Sequence, residues 1–269
     1  MHERYTFAMT LAREAGALAL ERLKELKSGA IEIETKGALD FVTRADRDVE
    51  NFIRTKITAH FPDDGILGEE LAPAQLTSAV KWVIDPIDGT ANYIRDLDNW
   101  GVSIACVVNG VSEIGVIYDP SRDKLFHARK GTGAFLNGKP LPKRKSLLDT
   151  PANLILALGH SRRIPLLIYL DAIRLLDARQ IDHRRAGSAA IALTQVAEGK
   201  VDGYFEGDLN PWDCLAGLLI NEELGISIQH GRAMSQSLQN GPVVIGQPFL
   251  QAVLDELSVL LNETIPQEA

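Results

Sequence analysis

Residues 82–93 read WVIDPIDGTANY, which sets Asp85 and Asp88 three positions apart around Pro86, behind an apolar run and ahead of Gly89 and Thr90. Proline fixes φ and carries no N–H, so a strand over VKWVI is predicted to stop at Asp85 and to present both carboxylates on a stiffened turn. Gly89 permits a backbone angle closed to other residues, and Thr90, Ala91 and Asn92 can open a helix whose free N–H groups face an anion. One short stretch therefore offers two hard oxygen ligands, a hydroxyl and an anion cradle. That is chemistry suited to a divalent cation and a phosphate.

Other carboxylates stand in comparable settings. Glu69 and Glu70 follow Gly68 at the end of an apolar pair, Asp213 opens a helix after Pro211 in NPWDCLAG, and Thr43 and Asp46 lie at a further helix start. Taken singly, Asp46 and Asp213 read as N-terminal caps and the glutamates as a solvated loop. Taken together they repel by about 4 kcal/mol per pair at ~4 Å and an effective dielectric of ~20, so a site that gathers them requires cations or protons. Oxygen ligands without His or Cys pairs favour Mg²⁺ or Mn²⁺ over zinc.

The elements that must position these groups are legible from periodicity. Phe7, Leu11, Ala15 and Leu18 mark one amphipathic helix, and Val49, Phe52, Ile53 and Ile57 a second. Between them AIEIETKGALDFVTRAD reads as a hairpin. Strands are predicted at VKWVI, GVSIACVV, VSEIGVIY and DKLFHA, with a tight turn at Asn109-Gly110. Beyond about residue 145 strands and helices alternate. The expected organisation is mixed α+β and α/β in one compact unit, residues 1–145 forming an α+β half and residues 146–269 an α/β half.

With 269 residues and 45% hydrophobic content the chain can fill a large core. Its net charge of −8 argues against a nucleic-acid surface, and PKRKS at 142–146 reads as a solvated loop. No secretory h-region or spanning segment is visible, so a cytoplasmic location and no membrane partner are expected. Cys106 and Cys214 read as packing residues. Trp100 reads as core rather than pocket lining, and His160 and His183 as structural residues that, with Arg184 and Arg185, can also touch a substrate or a subunit interface.

The strings WVIDPIDGTANYIR, WDCLAG and the upstream GEE resemble the inositol monophosphatase family of Mg²⁺-dependent, lithium-sensitive sugar-phosphate phosphatases. DFVTRAD, GTGAFLNGKPL and RRAGSAAIALTQVAEGKVDGYFE extend the likeness over roughly residues 5 to 230. The resemblance implies a layered αβαβα sandwich. It also implies one metal held by Glu69, Asp85, the Ile87 carbonyl and Thr90, and a second held by Asp85, Asp88 and Asp213. Asp46 and Thr90 would orient the attacking water, with Glu69 also catalytic, and the amides of Gly89 and Thr90 would hold phosphate. Glu206, Gly187 and Ala189, together with Asp88 and Asp213, would contact the substrate. Glu70 and Lys36 resemble residues near an optional third ion, and a homodimer is implied. The sequence departs from the family pattern at Leu71, Leu215 and Ile226, none of them a ligand.

The implied activity is hydrolysis of a small polyol or sugar phosphate, inositol monophosphate first, without a phosphoenzyme. Histidinol phosphate, fructose 1,6-bisphosphate and an adenosine 3',5'-bisphosphate are alternatives. D-x-x-D-G-T does not match the D-x-D-x-[TV] spacing of phosphatases that use a nucleophilic aspartate. A non-enzymatic alternative keeps the fold to bind a protein partner.

Overall fold

The computed structural model describes residues 1–28, 33–37, 40–143 and 153–264. The expected boundary near residue 145 lies outside them, as do the side chains of Lys36 and Thr43. The expected hairpin forms as β1 (Ile33–Gly37) paired antiparallel with β2 (Asp40–Thr43). Helices α1 (His2–Lys27) and α2 (Arg44–His60) cover one face of a seven-stranded sheet. Its order is β3 (Gly65–Gly68), β4 (Val80–Asp88), β5 (Gly101–Val108), β6 (Val111–Asp119), β7 (Lys124–Arg129), β8 (Ala134–Leu136) and β9 (Lys139–Pro140). Only β3 and β4 pair in parallel within it.

Helices α5 (Ala189–Glu198) and α6 (Pro211–Glu223) pack on the opposite face of that sheet. They also touch a five-stranded sheet, ordered β11 (Asp182–Arg184), β10 (Ile155–Leu158), β12 (Gly203–Leu209), β14 (Gly241–Gly246) and β13 (Ser227–His230). Helices α4 (Leu166–Ala178) and α8 (Gln251–Thr264) close its outer face, and a single turn, α7 (Met234–Ser237), joins β13 to β14. The result is five layers, αβαβα, with three apolar cores between them, as each amphipathic element must bury one face.

Local chemistry explains most elements. Val49, Ile53 and Ile57 are buried from α2 and Leu11 and Ala15 from α1, whereas Phe7, Leu18 and Phe52 lie at the core's margin. Asn109 and Gly110 both take positive φ, 49° and 80°, as a two-residue hairpin turn requires. Trp100 is buried edge-on against Tyr93, and both cysteines are buried and free.

One expectation is corrected, and one further strand appears. Strand β4 does not stop at Asp85 but continues through Pro86 to Asp88. Asp85 pairs with Ser103 and Asp88 with Gly101, so one extra residue is accommodated on β4. A bulge absorbs the missing proline N–H and keeps the strand in the sheet. The apolar pair before Glu69 belongs to a strand in its own right, β3, paired with β4.

This pairing brings Glu69 beside Asp85, and a buried carboxylate secures it. Glu50 of α2 is fully buried and accepts the backbone N–H groups of Glu70 (2.7 Å) and Leu71 (3.1 Å). Arg54 pairs with Glu50 at 2.7 Å and donates to the carbonyls of Leu71 and Ala72. A side chain at Gly68 would overlap Glu50. Glu50→Ala would strip Arg54 of its carboxylate partner and leave two N–H groups unpaired behind the loop, and is expected to cost about 3 kcal/mol in urea unfolding. A loss below about 0.5 kcal/mol, the scale of a surface substitution, would show that the clamp does not hold the loop.

Candidate active site

A cavity of about 800 Å³ opens where β4 ends and the N-termini of α5 and α6 meet. Glu69, Asp85, Asp88, Gly89, Thr90, Gly187, Ala189, Glu206 and Asp213 all line it. Oxygen atoms of Glu69, Asp85 and Asp213 lie within 4.8 Å of one another. These three come from the bend directly after β3, from the bulged end of β4 and from the first turn of α6, so only the packing of the layers brings them together.

Each carboxylate is restrained separately. Asp85 accepts the N–H of Ile87 at 2.9 Å. Asp88 accepts the Ser188 hydroxyl and the Ala190 N–H, both at 2.6 Å, at the N-terminus of α5, where the helix dipole favours negative charge. Asp213 accepts the Asn210 N–H at 3.0 Å in a capping box. The capping role read from sequence is therefore real for Asp213, and it coexists with the cluster.

Asp46 and Ile87 sit behind the cavity wall and reach it through Thr90. The Thr90 hydroxyl is 3.2 Å from Asp46 and 3.1 Å from the Ile87 carbonyl, and can donate to either. Gly89 has φ 95°, and a β-carbon there would meet the Asn99 carbonyl and Ser188, so the close turn requires glycine. The helix expected after it is a single four-residue turn, α3 (Thr90–Tyr93).

On the opposite wall, Tyr204 donates its hydroxyl to Glu206. Burial, with adjacent negative charge, pushes the carboxyls upward. Asp85 is raised well above the usual carboxylate range by burial, then by Glu69, Asp88 and Asp213. Asp213 is pushed up to about 8 by burial and then by Asp88. Glu206 is pushed up to about 7 by burial, against the hydrogen bond from Tyr204. Asp88 reaches only about 6, because the Ser188, Ala190 and Ala189 hydrogen bonds oppose its burial.

Of the residues flagged more loosely, His160 and Arg185 line the cavity, while His183 and Arg184 belong to β11, and Arg184 pairs with Asp182 at 2.9 Å. Sequence reasoning missed Arg162, Arg163, Tyr204 and Asp208 on the cavity wall, and Glu50 behind it. The string GHSRR directly after the apolar run LILAL carried a usable signal, since strand ends in α/β order are where ligands bind.

The inositol monophosphatase family model matches residues 1–263. A curated relative, the Nus factor SuhB of Escherichia coli K12, is 38% identical over 270 residues, covering 97% of this chain and 100% of its own. Among solved structures, the extragenic suppressor protein SuhB of Bartonella henselae is 30% identical, with a TM-score of 0.81, covering 95% of this chain and 97% of its own. An IMPase from Thermotoga maritima is 27% identical, with a TM-score of 0.83, over 98% of this chain and 100% of its own. The D-P-I-D-G-T motif, the five layers and these matches agree: the chain belongs to the inositol monophosphatase family.

Proposed function

We propose that the protein is a Mg²⁺-dependent phosphate-monoester hydrolase for a small polyol or sugar phosphate, inositol monophosphate first. The observation that carries this reading is the convergence of Glu69, Asp85 and Asp213 in a cavity that also holds Thr90 and Glu206. Their donor set fits a hard cation: carboxylates alone, crowded enough to hold protons where no positive charge offsets them. Glu69, Asp85, the Ile87 carbonyl and Thr90 would hold one Mg²⁺, and Asp85, Asp88 and Asp213 a second. Mn²⁺ would substitute, and Glu70 would stand near a third ion. When bound, the cations supply Lewis acidity toward the phosphoryl oxygens and acidify the attacking water.

The protein's own groups do the rest. The Thr90 oxygen would accept a hydrogen bond from the water while its hydroxyl donates to Asp46, which fixes the direction of attack. The N–H groups of Gly89 and Thr90 would face a phosphate. Glu206, pinned by Tyr204, accepts a substrate hydroxyl and orients the polyol against the Gly187–Ala189 wall. In this reading residues 1–145 supply most ligands and residues 146–269 supply Asp213 and the substrate wall, and the active form is a cytoplasmic homodimer. No helix among the described residues is long and apolar enough to cross a membrane. The name Nus factor, carried by the E. coli relative, favours one second reading, in which the fold serves a protein partner. Mg²⁺ binding without phosphate release from inositol 1-phosphate, histidinol phosphate, fructose 1,6-bisphosphate or adenosine 3',5'-bisphosphate would favour that reading.

Asp85→Asn removes the carboxylate shared by both cation positions and is expected to abolish turnover at saturating Mg²⁺. Near-normal phosphate release from the purified variant would refute the assignment. Glu206→Gln is expected to change the ranking of substrates while hydrolysis persists, and an equal loss on every substrate would contradict a role in substrate recognition. The raised carboxyls also set a pH dependence. An unfolded carboxyl ionises near pH 4, so between pH 6.5 and 8 the folded metal-free protein holds more protons than the unfolded chain and loses stability as pH rises. His127, lowered to about 4 by burial, and His160 and His230, also lowered by burial, oppose this trend near pH 6.5, where an unfolded imidazole is about half protonated, and less as the pH rises, so the more numerous carboxyl protons set the sign. The melting temperature in EDTA is therefore expected to fall from pH 6.5 to 8, and the gain on adding Mg²⁺ to grow over the same range. A Mg²⁺-induced gain independent of pH would count against cation binding at these carboxylates.

A further inference from the structure

Asp85 and Asp213 stand on different elements, β4 and α6, so their approach lasts only while the first turn of α6 keeps its place over the sheet. The cap from Asn210 settles how Asp213 points within α6. It does not settle where α6 stands. A residue of the neighbouring strand does that. Ser103 of β5 is the register partner of Asp85, and directly opposed residues of an antiparallel pair share one face of the sheet. The next pair on that face, Val83 and Ala105, belongs to the core beneath α5 and α6. From this position the Ser103 hydroxyl donates to the Trp212 carbonyl at 2.9 Å, one residue before Asp213. A single side chain thus links the partner of one clustered carboxylate to the backbone beside another.

Packing alone does not call for a hydroxyl there. Ser103 is 1% exposed, and its neighbours along the same face of β5 are Gly101, Ala105 and Val107, none with a polar side chain. A small apolar residue would fill the position, as Ala105 does two residues on, and a buried hydroxyl is unfavourable unless it is bonded. A second contact holds α6 one turn farther along. Gly115 of β6 lies opposite Ala105, and a β-carbon there would come within 2.5 Å of the Ala216 carbonyl oxygen, so the helix backbone rests directly on the strand. Trp212 and Ala216 flank Asp213 on either side. The helix is therefore seated at two points, by a hydrogen bond before Asp213 and by close approach after it.

We propose that Ser103 is a positioning residue for the carboxylate cluster: its hydroxyl fixes the first turn of α6 against β5 and so sets the spacing of Asp85 and Asp213, across which a cation would bind. The proposal rests on the reading of the cluster as a Mg²⁺ site. Ser103 touches neither cation nor substrate and acts through the Trp212 backbone. Ligand groups must be held to within ~0.5 Å of their working geometry, and the partners that orient them typically contribute about tenfold or more to metal affinity.

Two measurements on Ser103→Ala test this. Calorimetric titration of the purified metal-free protein with Mg²⁺ is expected to give an affinity about tenfold weaker than native. The crystal structure of the metal-free variant is expected to show the first turn of α6 displaced from β5 by ~0.5 Å or more, with the spacing of Asp85 and Asp213 changed. Ser103→Thr restores a hydroxyl at the same place and is expected to bind Mg²⁺ within about twofold of native. Thr194→Val is the control, since it removes another buried hydroxyl bonded to a helix carbonyl, that of Ile191 in α5, and is expected to leave the affinity unchanged. Native affinity in Ser103→Ala, an unmoved α6 in its structure, no recovery in Ser103→Thr, or an equal loss in Thr194→Val would each overturn the proposal. Asp85→Asn tests the cation reading separately. Mg²⁺ binding that survives in Asp85→Asn would sink that reading, while a displaced α6 in Ser103→Ala would still assign Ser103 the seating of the helix.

Discussion

Mutual repulsion among buried and half-buried carboxylates is the constraint around which this fold is arranged. Glu69, Asp85 and Asp213 approach within 4.8 Å and Asp88 faces the same cavity, in surroundings that push Asp85 and Asp213 far above their ordinary titration range. Left to themselves such side chains would turn apart or draw water in. Three of them are held by hydrogen bonds from different elements: Asp85 by the turn of β4, Asp88 by the N-terminus of α5, Asp213 by the cap of α6. The array is strained electrostatically and rigid mechanically, which suits a site meant to receive positive charge.

The layering follows from the same need. The middle helical layer, α5 and α6, lies between the two sheets and directs two helix N-termini at the end of β4. Aligned peptide dipoles there stabilise carboxylates and phosphate alike. Glu50 extends the principle outward, since a buried carboxylate on α2 captures the amides after Glu69 and is itself neutralised by Arg54. The five-stranded sheet contributes the opposite wall, where Tyr204 holds Glu206 and the strand ends carry cations. The seven-stranded sheet thus supplies Asp85 and Asp88, and the five-stranded sheet supplies Glu206 together with the arginines that follow β10 and β11.

Much of this was legible before any coordinates. The two amphipathic helices, the Asn109-Gly110 hairpin, the change to strand–helix alternation and the D-P-I-D-G-T string all depend on interactions between near neighbours in the chain. The end of β4 was misjudged for a physical reason. Proline removes one hydrogen bond, but whether that ends a strand depends on whether the partner strand can accept a bulge, and β5 does. Strand β3 escaped notice because four residues carry little periodicity, and its status comes from pairing in parallel with β4.

Residue type and local spacing belong to the sequence alone. A carboxylate's hardness, proline's fixed φ, glycine's access to φ 95° at position 89 and the capping geometry of Asn210 and Asp213 operate over a few residues and need no tertiary context. Tertiary structure alone decided which distant groups meet. Glu69 reaches Asp213, Glu50 grips the loop after Glu69, Tyr204 locks Glu206 against the cavity, and Arg162 stands with Arg185 across two parallel strands. Those distances are set by sheet order and by how the layers seat on one another, and no rule confined to neighbouring residues contains them.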